Sequence, residues 1–139
     1  MRPMNRILLI DDDPMSNMIN EKIIQQSKLT LKVDSYSDAN AALKYLRKLA
    51  KINPAKFPTI IFLDINMPEV DGWEFLEELV KLPESIFSEL KIFMLTSSID
   101  HEDIEKSKLY KIVQGFISKP LTVDKIDALF TSPRMAIAS

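Results

Sequence analysis

Cysteine is absent from this 139-residue chain, which excludes disulfides, thiolate metal sites and cysteine nucleophiles. No run of 18 apolar residues occurs, so the sequence offers no transmembrane helix, and residues 1–5 lack the hydrophobic region of a signal peptide. The net charge is only −2, which gives no bulk attraction to nucleic acid or to a membrane surface. We therefore expect a cytoplasmic protein that binds neither.

Internal repeats, low-complexity tracts and Gly/Ser-rich linkers are also missing. The hydrophobic content of 46% and the charged content of 27% are those of an ordinary globular protein. A chain of this length suits one domain and can bury a sizeable core. We expect a single domain over residues 1–139, with its core at about residues 5–130 and a loose tail over residues 131–139.

Short apolar runs alternate with segments of helical spacing along the chain. The predicted strands are Arg6–Ile10, Leu31–Tyr36, Thr59–Leu63, Lys91–Leu95 and Gln114–Ile117. The predicted helices begin at Pro14, after Ser37 or Asp38, after Asp71-Gly72, near Asp100 and at Thr122, the last running to Phe130. The alternation predicts an α/β fold with a parallel, doubly wound sheet. Residues 51–58 and 82–90 contain proline and are predicted as surface loops.

Acidic residues follow two of these strands. The triplet Asp11-Asp12-Asp13 follows the first strand, and Asp64 follows the third. The carboxyl ends of parallel strands meet at the sheet edge where such folds bind ligands. Carboxylates gathered there repel one another unless a cation compensates them, which predicts a divalent metal. We expect Asp13 to cap a helix instead, because Pro14 follows it.

The fourth and fifth strands are followed by Thr96 and Lys119. Metal-binding acids, a carboxylate nucleophile, a hydroxyl and a lysine at one sheet edge are typical of a phosphoryl-transfer site. In this interpretation Asp64 is phosphorylated, and Thr96 and Lys119 bind the phosphoryl oxygens. Taken singly, Thr96 is equally well a plain strand-end hydroxyl. A surface lysine is the alternative for Lys119, but its position after a buried strand favours a functional role. His101, among acidic residues, is expected to be solvated.

Four stretches in this order carry a family resemblance: Ile7–Pro14, Phe62–Pro68 with Asp71-Gly72, Met94–Ser97, and Gly115–Pro120. With them, residues 5 to 130 resemble the response-regulator receiver domains of two-component signalling, of which the chemotaxis receiver is the best-known form. The resemblance implies a flavodoxin-like five-stranded parallel sheet of order 2-1-3-4-5 with five helices.

The resemblance also assigns roles at the sheet edge. It implies that Asp11 and Asp12 form the acidic pair, Asp12 as a direct ligand of Mg²⁺ and Asp11 through water. Asp64 would be both phosphoacceptor and metal ligand, and Asn66 would offer its backbone carbonyl to the metal.

Further roles concern the response to phosphorylation. Thr96 resembles the switch hydroxyl, Phe116 the switch aromatic residue, and Lys119 the phosphate-binding lysine, joined to Pro120 by a cis peptide bond. Because phenylalanine lacks a hydroxyl, the switch would depend on burial of the ring alone. Asn66 and Ser98 lie where the family varies its rate of self-hydrolysis.

The function that the resemblance implies is that of a single-domain response regulator. A histidine kinase or a histidine phosphotransfer protein would donate the phosphoryl group from its phosphohistidine in the presence of Mg²⁺. The chain would then switch a face made by the fourth helix, fifth strand and fifth helix, or relay the group to an unknown downstream protein. We expect a monomer or weak dimer, and a regulator that modifies only its own Asp64, not an enzyme of metabolism.

Two alternatives remain open. Asp11-x-Asp13, Thr96 and Lys119 follow the order of haloacid-dehalogenase-like phosphatases, although no acidic pair follows Lys119 at a strand end and that interpretation leaves Asp64 unexplained. The second alternative is a pseudo-receiver, an interaction module that keeps the fold without being phosphorylated.

Overall fold

The computed structural model of the protein describes residues 5–27, 30–129 and 136–138. The strands are β1 (Asn5–Ile10), β2 (Thr30–Tyr36), β3 (Ile60–Asp64), β4 (Lys91–Thr96), β5 (Val113–Ser118) and β6 (Ala136–Ala138). The helices are α1 (Pro14–Gln26), α2 (Ala39–Ile52), α3 (Gly72–Leu79), α4 (His101–Ser107) and α5 (Val123–Leu129). None of the helices within the described ranges has the length and apolarity needed to cross a membrane.

All strand pairs are parallel, and the order across the sheet is β2-β1-β3-β4-β5-β6. The flavodoxin-like fold and the predicted order of the first five strands are confirmed. Every residue of the central strand β3 is buried, as its continuous apolar run predicts. One hydrophobic cluster covers the sheet face under α2 and α3, and a second covers the face under α1 and α5. Helices on both faces make the sheet doubly wound.

The sixth strand corrects the prediction of a loose tail for residues 136–138, and the other residues of the predicted tail, 131–135 and 139, lie outside the described residues. Ala136 and Ala138 are buried at 4% and 6% exposure, and β6 pairs with β5 from Gly115 to Ile117. A Cβ atom at Gly115 would lie 2.3 Å from the carbonyl oxygen of Ala136, so only glycine allows this close approach. A strand of only three residues, two of them alanine, carries too little periodicity to be recognised from the sequence.

The helices begin close to the predicted positions, and Asp13 caps α1 as predicted. Asp13, Asp38, Asp71 and Asp100 each accept a hydrogen bond from a backbone N–H in the first turn of the following helix. The predicted loops are more ordered than expected, because α2 continues to Ile52 and short 3₁₀ turns occupy 54–56 and 84–87. The predicted last residue of α5, Phe130, lies outside the described residues.

Candidate functional site

Three carboxylates meet at the carboxyl edge of the sheet. β1 pairs with β3 so that Ile10 lies beside Leu63, which brings the next residue of each strand, Asp11 and Asp64, to adjacent positions. One carboxylate oxygen from each of Asp11, Asp12 and Asp64 lies within 4.8 Å of the others. Asp11 and Asp64 are buried at 1% and 2% exposure, whereas Asp12 is exposed. The acids predicted from the strand ends therefore form one cluster that opens to solvent at Asp12.

Lys119 completes this cluster from the end of β5. Its Nζ atom lies 3.0 Å from Oδ2 of Asp11 and 3.3 Å from Oδ2 of Asp64. Its backbone N–H donates to the carbonyl of Thr96 (2.8 Å), and the peptide bond between Lys119 and Pro120 is cis, as the resemblance implies. One cation thus bridges the two buried carboxylates.

The surroundings of Asp64 favour its protonated form more than water does. Burial raises the pKa of Asp64 to about 6, and the negative charge of Asp11 adds to the increase, while the positive charge of Lys119 opposes it. The N–H of Asn66 donates to Oδ1 of Asp64 over 3.2 Å and also favours the ionised form. For Lys119, burial opposes the charge, but the hydrogen bond to Asp11 and the charges of Asp64 and Asp11 outweigh it and raise its pKa.

The donor set fits Mg²⁺. Carboxylate and carbonyl oxygens are the hard ligands that this ion takes at about 2.0–2.1 Å, so two ligands on opposite sides of it lie about 4 Å apart. The oxygens of Asp11, Asp12 and Asp64 span a similar distance. Asn66, whose carbonyl is the predicted fourth protein ligand, is exposed two residues after Asp64.

Thr96 and Phe116 lie on the neighbouring strands. Thr96, at 3% exposure, ends β4. Its hydroxyl donates to the carbonyl of Ser98 (2.9 Å) and accepts from the N–H of the same residue (3.2 Å). Phe116 is fully buried in the cluster under α2 and α3, so its ring points into the core. Its role as a switch residue stays a prediction.

Two residues that the sequence reasoning did not assign hold the acidic strand ends in place. Asn17, at 4% exposure on α1, donates from Nδ2 to the carbonyl of Asp11 (2.9 Å) and to that of Tyr36 (3.3 Å). The N–H of Gly72 donates to the carbonyl of Ile65 (2.8 Å), so α3 begins directly against the residue after Asp64. The apolar pattern of α1 gave no signal for Asn17, because Met15, Met18 and Ile19 are exposed while Asn17 is buried.

Two predictions of minor roles agree with the structure. The carboxylate of Asp13 is engaged at the start of α1, where Oδ1 accepts from the N–H of Met15 (3.0 Å) and Oδ2 from the hydroxyl of Ser16 (3.1 Å). His101 is 84% exposed on α4 and lies 3.9 Å from Glu105. Neither side chain is placed in the acidic cluster.

Comparison with known proteins places this site in a family. Residues 7–131 match the response regulator receiver domain. The response regulator Rcp1 of Synechocystis sp. is 26% identical over 132 residues, which cover 84% of this chain and 88% of that protein.

Solved structures show the same likeness. A two-component response regulator from Cytophaga hutchinsonii superposes with a TM-score of 0.83 at 32% identity, covering 94% of this chain and 96% of its own. A response regulator receiver protein from Dyadobacter fermentans has a TM-score of 0.75 at 30% identity, with 91% and 94% covered. With the domain match spanning most of its length, this chain belongs to the response regulator receiver family.

Proposed function

We propose that this protein is a cytoplasmic response regulator that accepts a phosphoryl group on Asp64 from the phosphohistidine of a histidine kinase or a histidine phosphotransfer protein. The observation that carries the proposal is the convergence of the Asp11, Asp12 and Asp64 carboxylates with the Lys119 ammonium group at one sheet edge. This is the combination of nucleophile, metal-binding acids and cation that phosphoryl transfer to a carboxylate requires.

The transfer step uses an oxygen of Asp64 as the nucleophile. With a pKa of about 6, roughly nine in ten Asp64 carboxyls are ionised one pH unit above that value. A carboxylate oxygen forms the new P–O bond, the P–N bond of the donor breaks, and the histidine nitrogen leaves with the bonding pair. Lys119, 3.3 Å from Asp64, would neutralise a phosphoryl oxygen.

Asp11, Asp12, Asp64 and the carbonyl of Asn66 would hold Mg²⁺ at this edge. The ion would neutralise negative charge on the phosphoryl group as it is transferred. The buried carboxylates already have a compensating charge in Lys119, which keeps two like charges together before the ion binds.

Phosphorylation would change the partner of the Thr96 hydroxyl. The phosphoryl group adds a charge of about −1.5 to −2 at the site. The hydroxyl, which donates to the Ser98 carbonyl, would instead donate to a phosphoryl oxygen. This movement next to α4 is the proposed start of the switch, and its output is a protein contact or onward transfer of the phosphoryl group.

The exposed face of α1 is the proposed docking surface for the phosphohistidine partner. Met15, Met18 and Ile19 are 67%, 58% and 56% exposed and form one apolar stripe at helical spacing. The stripe begins three residues after Asp12 and therefore adjoins the open side of the acidic cluster. An apolar helix face of the partner, placed on this stripe, would bring its histidine to Asp64.

The phosphatase alternative is not favoured by the position of Asp13. That interpretation needs Asp13 as an acid–base group beside the nucleophile. Both of its carboxylate oxygens instead accept hydrogen bonds from the first turn of α1.

Intact-mass spectrometry after incubation with acetyl phosphate tests the proposal. Wild-type protein is expected to gain one phosphoryl group with Mg²⁺ and none with EDTA. Asp64→Asn should abolish the adduct, and Asp13→Asn, which removes a neighbouring acid outside the cluster, should retain it. No adduct on wild-type protein with intact donor would favour a pseudo-receiver, and continuous donor hydrolysis that survives Asp64→Asn would favour a phosphatase.

A further inference from the structure

We propose that Lys125 is a positioning residue that holds the segment carrying Lys119 in the geometry needed for phosphorylation. The inference rests on the proposed function of Asp64 and Lys119. Lys125 lies in the first turn of α5, and its proposed role concerns the acidic site at the other end of the connection between β5 and α5.

The ammonium group of Lys125 spans the connection between β5 and α5. Its Nζ atom donates to the carbonyl of Ser118 (2.9 Å), to the hydroxyl of Ser118 (3.2 Å) and to the carbonyl of Pro120 (3.0 Å). A lysine ammonium group has three N–H donors, so these contacts use all of them. The acceptors lie immediately before and immediately after Lys119 in the chain.

Local helix energetics do not explain a lysine at this position. Lys125 lies in the first turn of α5, where its backbone N–H donates to the hydroxyl of Thr122 (3.2 Å). The positive end of the helix dipole disfavours a cation in the first turn. The two carbonyl contacts and the hydroxyl contact compensate this repulsion, and charge-assisted hydrogen bonds of this type are stronger than neutral ones.

The contacts of Lys125 add to two others that fix the backbone at Lys119. Its N–H donates to the carbonyl of Thr96 (2.8 Å), and Ser118 pairs with Thr96 in the sheet. The side chain then extends to carboxylates 3.0 and 3.3 Å away. A displacement of about 1 Å in the segment would break both contacts, and misplacement of that size can slow a reaction by about 100-fold.

Lys125→Met tests the proposal because methionine keeps an apolar side chain of similar length and removes all three donors. The matched control is Lys48→Met, at an exposed lysine on α2. The first readout is amide hydrogen exchange of Lys119 in unphosphorylated protein with EDTA. The second is the rate of phosphorylation by acetyl phosphate with saturating Mg²⁺, compared at equal folded fraction.

Lys125→Met is expected to accelerate exchange at the Lys119 amide about 10-fold or more while the amides of β1 and β3 keep wild-type protection. Phosphorylation should slow about 10- to 100-fold. Lys125→Arg, which restores donors at the same place, should recover part of both losses, and Lys48→Met should change neither. Ser118→Ala, which removes one of the three acceptors, provides a milder variant if Lys125→Met does not fold, and should accelerate exchange at Lys119 by a smaller factor.

Wild-type exchange at Lys119 together with a wild-type phosphorylation rate in Lys125→Met would overturn the proposal. Faster exchange spread equally over the whole sheet would also overturn it, because that result would show a general loss of stability. If the wild-type protein itself forms no phosphoryl adduct, the proposed function fails, and the exchange measurement still decides whether Lys125 positions Lys119.

Discussion

Replacing Asp64 by asparagine should stabilise the metal-free protein at neutral pH and leave its stability unchanged in acid. Burial raises the pKa of Asp64 from 3.8 to about 6 in the folded protein. Between these two values the folded protein binds a proton that the unfolded chain has released, so wild-type stability falls as pH rises through this interval. Asparagine carries no charge at any pH and avoids the loss.

The structure bounds the size of this effect. A shift of about 2 pKa units corresponds to roughly 3 kcal/mol at 1.36 kcal/mol per unit. Asp12 and the 32% exposed side chain of Lys119 open the cluster to solvent, and solvent screening reduces such interactions. We therefore expect Asp64→Asn to raise the free energy of unfolding by about 1–2 kcal/mol at pH 8 and by nothing measurable near pH 4.

Urea unfolding in EDTA, followed by circular dichroism at both pH values, measures the difference. Asp13→Asn is the control, because a hydrogen bond from the N–H of Met15, aided by one from Ser16, lowers the pKa of Asp13 and its ionised form favours the fold. That variant should show no gain at pH 8. An Asp64→Asn protein that is equally stabilised at both pH values, or less stable than wild type at pH 8, would refute the electrostatic reasoning.

Three further substitutions or signals are predicted. Gly72→Ala would place a Cβ atom 2.8 Å from the carbonyl oxygen of Asp64; urea unfolding should show a loss of about 1–3 kcal/mol, and intact-mass kinetics should show slower phosphorylation. Trp73 is the one tryptophan of the chain and is 7% exposed beside Gly72, so its fluorescence should change when wild-type protein is phosphorylated and stay constant in Asp64→Asn. Gly115→Ala would place a Cβ atom 2.3 Å from the oxygen of Ala136 and should release β6, seen as faster amide exchange at residues 136–138 with β1 and β3 still protected.

The sequence predicted the part of the fold that depends on local pattern. β3 is buried along its whole length, and burial on both faces explains why its residues before Asp64 are all apolar. The start of α1 could be predicted from Asp13 and Pro14. Asp13 supplies the N-cap, and the fixed φ angle of Pro14 suits the first position of a helix. Once the strands are parallel and adjacent, the acids that end them must meet. The acidic cluster could therefore be predicted from the order of the strands and the residues that follow them.

The contacts that hold the cluster in place could not be predicted in this way. Asn17 and Lys125 act through side chains that reach backbone carbonyls on other elements. Periodicity indicates which side of a helix is apolar, but not which carbonyl a single polar side chain will reach. The strand β6 depends similarly on Gly115, which lies 21 positions before its partner Ala136 and makes room for it. Such pairs become apparent only when the chain is folded.

The added strand changes the surface that the proposed switch would present. The expected output face consisted of α4, β5 and α5, with β5 at the edge of the sheet. In the structure β6 pairs with that edge, and Phe116 lies opposite Ile137, which is 49% exposed. Any displacement of the Phe116 backbone reaches β6 through the strand pairing. A partner that reads this face would therefore contact Ile137 and its neighbours, and releasing β6 with Gly115→Ala should alter that contact without touching the acidic cluster.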